Sequence, residues 1–221
     1  NTVHEELMKK IKILTLSDHP LSPSGVGTQT KYMIEALLKT GRFQFLCLGG
    51  AMKHNSYEPS RVQPWENDWI IYPVDGYGSQ EVIRSILTNE KPDILWFMTD
   101  PRFYGWLWEM ENEIRPNVPM IYYHVWDNFP APHFNKEFYM SNDKVVCISK
   151  VTHKILNEVA PEVPSCYLPH GVNSEIFKKH TDSATKHKVN VIREQLLTNS
   201  GQVQNNNPDK KIFFWNNRNA R

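Results

Sequence analysis

Short apolar runs recur along this chain, and most are followed by a segment with helical periodicity. That alternation restricts the fold more than any other feature. Residues 11–16, 43–48, 69–74, 93–98, 118–124, 144–148 and 165–168 read as strands, several of them apolar throughout, as strands buried on both faces are. Between them, residues 28–39 place Met33, Ile34, Leu37 and Leu38 on one face of a helix, and Gly41 stops it. Ser79 is placed to cap a helix over 80–89, with Glu81 in its first turn. Further helical patterns cover 101–113, 135–140 and 150–159, while 49–68 read as irregular. Alternation of this kind predicts the α/β class: a parallel sheet with helices on both faces.

Organisation changes after Phe177. Residues 8–177 form the expected domain, with Met8 as a plausible start. Residues 178–209 are rich in Lys, Asn, Thr and Gln, with one helical pattern over 189–197, and read as an interdomain connector. Residues 210–221 open a new apolar strand, Ile212-Phe213-Phe214-Trp215, expected to begin a truncated second domain. The 25 basic and 24 acidic residues leave a formal net charge of +1, which excludes the basic footprint of a nucleic-acid binder. Cys47, Cys147 and Cys166 all sit in apolar runs, at spacings that fit neither a disulfide framework nor a zinc site. No run reaches the ~18 apolar residues of a membrane span, and Lys12, Thr15, Ser17 and Asp18 break the first one too early for a signal peptide. A cytoplasmic location is the expectation. The aromatic segment Phe103, Tyr104, Trp106, Leu107, Trp108 and Met110 is apolar on more than one face, so it packs in a core, lines a groove or makes a shallow membrane contact.

Candidate site residues lie where strands end. Ser24-Gly25-Val26-Gly27-Thr28 separates the first strand from the first helix, where backbone N–H groups and a helix N-terminus can meet a phosphate. The pattern is not a dinucleotide fingerprint, because the third glycine position is Thr30 and the second strand ends Leu48-Gly49-Gly50 without an acidic residue. No Gly-Lys-Ser/Thr is present, which excludes an ATPase-type phosphate loop. The alternative for the glycines is a flexible turn. His124 closes the run Met120-Ile121-Tyr122-Tyr123, and Asp127 and Asn128 follow it; three polar side chains at a strand tip can converge on a ligand hydroxyl, with the imidazole able to take up a proton. Asp100 either caps a helix that begins at Pro101 or contacts ligand. His170, in the turn Pro169-His170-Gly171, faces a ligand or serves the turn.

The segment Leu168-Pro169-His170-Gly171-Val172-Asn173-Ser174-Glu175-Ile176-Phe177 resembles the element that closes the N-terminal domain of GT-B fold glycosyltransferases, family-4-like ones above all. Lys12-Ile13-Leu14 with Gly25-Val26-Gly27 is similar to their opening strand and glycine loop, and Asp143-Lys144-Val145-Val146-Cys147-Ile148-Ser149 to a later strand. Residues 212–221 resemble the first donor-domain strand, in which Arg218 would contact the donor diphosphate. The resemblance implies a Rossmann-like lobe that binds the acceptor, facing a second lobe that holds a nucleotide-diphosphate sugar as co-substrate. It implies transfer to the hydroxyl of a sugar, lipid or other acceptor, often without a metal or other cofactor. It also implies Gly25, Val26 and Gly27 against the donor phosphates and His124, helped by Asp127, near the transferred sugar. Asn128, His170 and Asp100 would contact sugar or acceptor. The Lys that partners the Arg and the family's acidic donor motif are expected beyond Arg221, so the 221 residues are expected to be inactive by themselves. A non-catalytic sugar- or nucleotide-binding module, a GT-B epimerase and a phosphorylase are the alternatives.

Overall fold

The computed structural model describes residues 9–179 and 181–199. The chain divides into two compact units, Asn1–Gly171 and Val172–Arg221. In the first, β1 (Ile11–Asp18), α1 (Gly25–Leu38), β2 (Phe43–Gly50), β3 (Ser60–Val62) and β4 (Glu66–Pro73) come first. Then follow α2 (Gln80–Glu90), β5 (Ile94–Met98), a 3-10 turn (Pro101–Phe103), α3 (Gly105–Trp108), α4 (Glu111–Ile114) and β6 (Met120–His124). A second 3-10 turn (His133–Asn135), α5 (Lys136–Met140), β7 (Lys144–Cys147), α6 (Lys150–Val159) and β8 (Ser165–Tyr167) complete it. The second unit carries α7 (Ser183–Asn199), where Asp182 Oδ1 accepts from the Thr185 N–H at 2.7 Å. That helix begins six residues before the expected 189. The expected strand at 210–221, Arg218 included, lies outside the described residues.

One eight-stranded sheet runs β3-β4-β2-β1-β5-β6-β7-β8. Every pairing is parallel except β3 with β4. The fold is therefore the expected Rossmann-like α/β architecture, with an antiparallel edge strand inside the segment expected to be irregular. Strand pairing at an edge is non-local, so three residues with no apolar alternation give it no local signal.

Side-chain alternation builds apolar cores on both faces of the same strands. On one face Ile13, Phe45, Cys47, Trp69 and Ile71 pack under Ile34 and Leu38 of α1. On the other, Leu14, Leu16, Leu46, Leu48, Leu95, Phe97, Tyr122 and Val145 meet α2 to α6. Helices cover both faces, but unevenly.

The expected helix over 101–113 is broken into the 3-10 turn, α3 and α4, with Tyr104 and Met110 at the joints in the bridge region of φ/ψ. A straight helix would set Trp108 and Met110 about 200° apart, yet both are buried in one core. The break brings both inward. It also aims the Tyr104 hydroxyl at the Leu16 and Met98 carbonyls, 2.9 and 3.1 Å away. Tertiary packing overrides the local preference here.

Among the described residues no helix is long and apolar enough to cross a membrane.

Candidate functional site: a crevice at the strand tips

Chain order places the crevice. β1 sits between β2 and β5, and the segment after β1 leads to α1 on one face, while the segment after β5 leads to α3 and α4 on the other. Connections that diverge from neighbouring strands leave a gap beyond their carboxyl ends, the topological switch point where α/β sheets bind ligands.

On the α1 side, the helix starts three residues earlier than its periodicity suggests, so Gly25, Val26 and Gly27 form its first turn. Ser24 is the N-cap and its Oγ accepts the Gly27 N–H at 2.9 Å. The Gly27 amide expected to meet a phosphate is therefore committed to the cap. A helix cannot satisfy the N–H groups of its first turn internally, so Gly25 and Val26 hold the donors left for an anion. The two glycines also differ in what they touch. A Cβ on Gly27 would stand 2.5 Å from the His19 carbonyl oxygen, whereas one on Gly25 meets nothing within 4 Å. Gly27→Ala is expected to destabilise the protein by about 1–3 kcal/mol and Gly25→Ala by less than about 0.5 kcal/mol. Urea unfolding of the two variants checks this; equal losses would contradict it.

His19 extends the same side, a residue the sequence reading passed over. Its Nδ1 accepts the Leu21 N–H at 3.1 Å, which leaves Nε2 as the protonated nitrogen. Partial burial, then the nearby His54, lowers its pKa. His170 also belongs to this side: its ring lies 5.4 Å from that of Tyr123, and the next residue, Gly171, accepts from Gln29 Nε2 of α1 at 2.8 Å. The Tyr123 hydroxyl donates to the Leu168 carbonyl at 2.7 Å, pinning this exit segment to β6. An apolar groove of about 500 Å³ runs beneath, lined by Met33, Trp96, Ile121 and Tyr123 among others.

On the opposite side, a pocket of about 490 Å³ opens at the tips of β5 and β6. Asp100, Asp127 and Asn128 all line it, so the structure brings together three residues singled out from the sequence. Arg102, Trp126, Phe134 and Asn135 are also in its wall. Asp100 is a cap: its Oδ1 accepts the Arg102 N–H at 3.0 Å, with Pro101 first in the turn, and the residue also lines the pocket. Arg102 Nε also lies 3.2 Å from that oxygen. Among the described residues the side chains of Asp127 and Asn128 have no hydrogen-bond or ion-pair partner.

His124 requires a correction. It ends β6 as expected, but its side chain points into the core, on the same strand face as Tyr122, and it is 0% exposed. Its Nε2 lies 2.8 Å from the Tyr139 hydroxyl of α5, and its Nδ1 has no partner among the described residues. Burial pushes its pKa down to about 3, so the imidazole is neutral at physiological pH. The group expected to contact ligand and move a proton sits one layer beneath the pocket. There it ties the root of the Trp126–Asn128 segment to α5, and Asn135 of the pocket wall approaches the same Tyr139 hydroxyl at 3.5 Å.

Cys47 and Cys147 are buried, which raises both thiols to about 12, far from reactive thiolates. Among the described residues no group of three or more His, Cys, Asp or Glu could hold a metal ion.

The geometry defines a Rossmann-like α/β lobe, GT-B-like in architecture, with an open crevice at its switch point. A solved structure of a sucrose-phosphate synthase from Thermosynechococcus elongatus shares this fold, with a TM-score of 0.54 over 86% of this chain and 99% of that one. Identity is 14%, so the likeness is one of fold. No family model matches the chain, and no curated protein matches it.

Proposed function

We propose that this chain is the acceptor-side lobe of a family-4-like glycosyltransferase that moves a sugar from a nucleotide diphosphate to an acceptor hydroxyl. One observation carries the reading: the Asp100–Asp127–Asn128 pocket opens at the tips of β5 and β6, and β1, the neighbour of β5, leads from its own tip to the N-terminus of α1. The helix N-terminus is suited to the diphosphate, through the N–H groups of Gly25 and Val26. The pocket is suited to hydroxyl groups, which need acceptors such as a carboxylate and a carboxamide oxygen. Asp127 orients the attacking hydroxyl, and His124 holds the strand tip that carries Asp127. Arg218, by the family resemblance, offsets the charge of the departing diphosphate, the electrostatic stabilisation that dominates such chemistry.

The test is mass-spectrometric detection of product after incubation of the full-length protein with a panel of nucleotide-diphosphate sugars and hydroxyl acceptors. One sugar residue added to one acceptor is expected, with Asp127→Ala lowering kcat/KM by about 10²-fold or more. The buried, neutral His124 favours a second reading, a binding module without chemistry. Specific sugar or nucleotide binding with no product from any donor would select it.

A further inference from the structure

We propose that the pocket at the tips of β5 and β6 takes an uncharged sugar ring, stacked on Phe134 and held through its hydroxyls by Asp127 and Asn128. The inference rests on the transferase reading for the statement that this sugar is the acceptor; the binding chemistry stands on the pocket.

Phe134 is 76% exposed, although it forms part of the pocket wall. Its ring centroid lies 6.0 Å from that of Trp126 at an interplanar angle of 77°, so the two rings make a corner. Trp126 is fixed in place, because its Nε1–H donates to the Asn128 carbonyl at 2.9 Å. An exposed aromatic surface beside a rigid indole leaves an apolar contact unmade in the free protein. A pyranose ring supplies the missing contact with its C–H face while its hydroxyls point outward along the ring edge. Asp127 and Asn128 follow Trp126 directly, and both have side chains without a partner among the described residues. The pocket, at about 490 Å³, falls within the range of roughly 300–1,000 Å³ typical of small-ligand sites.

Charge narrows the ligand class. Asp100 is paired with Arg102 at 3.2 Å, which leaves the Asp127 carboxylate uncompensated. The pocket is therefore net negative and repels a phosphorylated or carboxylated sugar. An acyl chain is equally ill-suited, because it would strip water from the Asp127 carboxylate and return no hydrogen bond. A neutral sugar satisfies the carboxylate and the aromatic corner together.

The experiment is saturation-transfer NMR titration of the protein with glucose, mannose and galactose and with the 6-phosphate of each. At least one neutral sugar is expected to bind, and its 6-phosphate to bind at least about fivefold more weakly. Phe134→Ala is expected to weaken the neutral sugar by about tenfold. Phe129→Ala, a neighbouring exposed aromatic outside the pocket wall, should leave binding unchanged. Phe134 and Asp127 are exposed, so Phe134→Ala and Asp127→Asn should fold normally. Asp127→Asn removes both the repulsion and a charged hydrogen-bond acceptor, so the neutral sugar should bind more weakly than to wild type while the penalty on the 6-phosphate shrinks. Binding of none of the neutral sugars, equal or tighter binding of the phosphates, or indifference to Phe134→Ala would each overturn the proposal. Transfer from a nucleotide donor only to phosphorylated or lipid-borne acceptors would overturn it while the transferase reading stands. Phe134-dependent sugar binding with no transfer from any donor by the full-length protein would support the pocket assignment and remove the transferase.

Discussion

Trp108→Ala is expected to lower the unfolding free energy by about 3–5 kcal/mol, the largest loss from any single truncation considered for this protein. Trp108 is 3% exposed and stands at the centre of an aromatic cluster. It stacks on Phe138 at 4.9 Å and meets Tyr122 at 5.3 Å, Phe97 at 5.8 Å and Tyr104 at 6.2 Å. Its Nε1–H donates to Asn142 Oδ1 at 3.0 Å. Phe97 and Tyr122 belong to adjacent strands and cannot follow a shrinking side chain, so most of the cavity persists. Truncation also leaves the Asn142 oxygen without its donor in a buried place. Denaturant unfolding followed by circular dichroism measures the loss. Trp108→Phe, which keeps a ring in the cluster, should cost distinctly less. A loss below about 1 kcal/mol for the alanine variant would show that the cluster can close around the gap.

Acidification should weaken the protein through His124. Its pKa is about 3 in the folded chain, against an ordinary value of 6.5. Between those values the unfolded chain binds a proton that the folded chain refuses. The stabilisation is complete above about pH 6.5 and is lost as pH falls toward about 3, with a slope of about 1.4 kcal/mol per pH unit. The groups against the ring, Tyr122, Tyr139 and Cys147, are neutral throughout this window, so no neighbour offsets the effect. His124→Gln keeps a polar group within reach of the Tyr139 hydroxyl but cannot titrate. Its stability should decline less steeply with acid than that of the wild type. Parallel profiles for the two proteins would mean that the folded chain admits a proton at the imidazole.

The same residue shows what strand position reveals and what it hides. A histidine after four apolar strand residues had to lie at a carboxyl end, where α/β sheets bind ligands, and it does. Its direction is set by parity with Tyr122, and parity has no meaning until one knows which face carries α5 and Tyr139. Asp127, Asn128 and Asp100 were legible because loop residues just past strand tips have few places to go except the crevice. Phe134 and Arg102 were not, because they reach the pocket from separate turns that only the fold brings together.

The sequence by itself determined the strand and helix alternation, the parallel core of the sheet, and caps such as Ser79, whose Oγ accepts the Val82 N–H. These depend on periodicity and on contacts within a few residues. Tertiary structure alone decided the edge pairing of β3, the breaks at Tyr104 and Met110, and the burial of His124. Each of these follows from contacts whose energy outweighs a local preference of about 1 kcal/mol or less per residue, and most of those contacts join residues far apart in the chain.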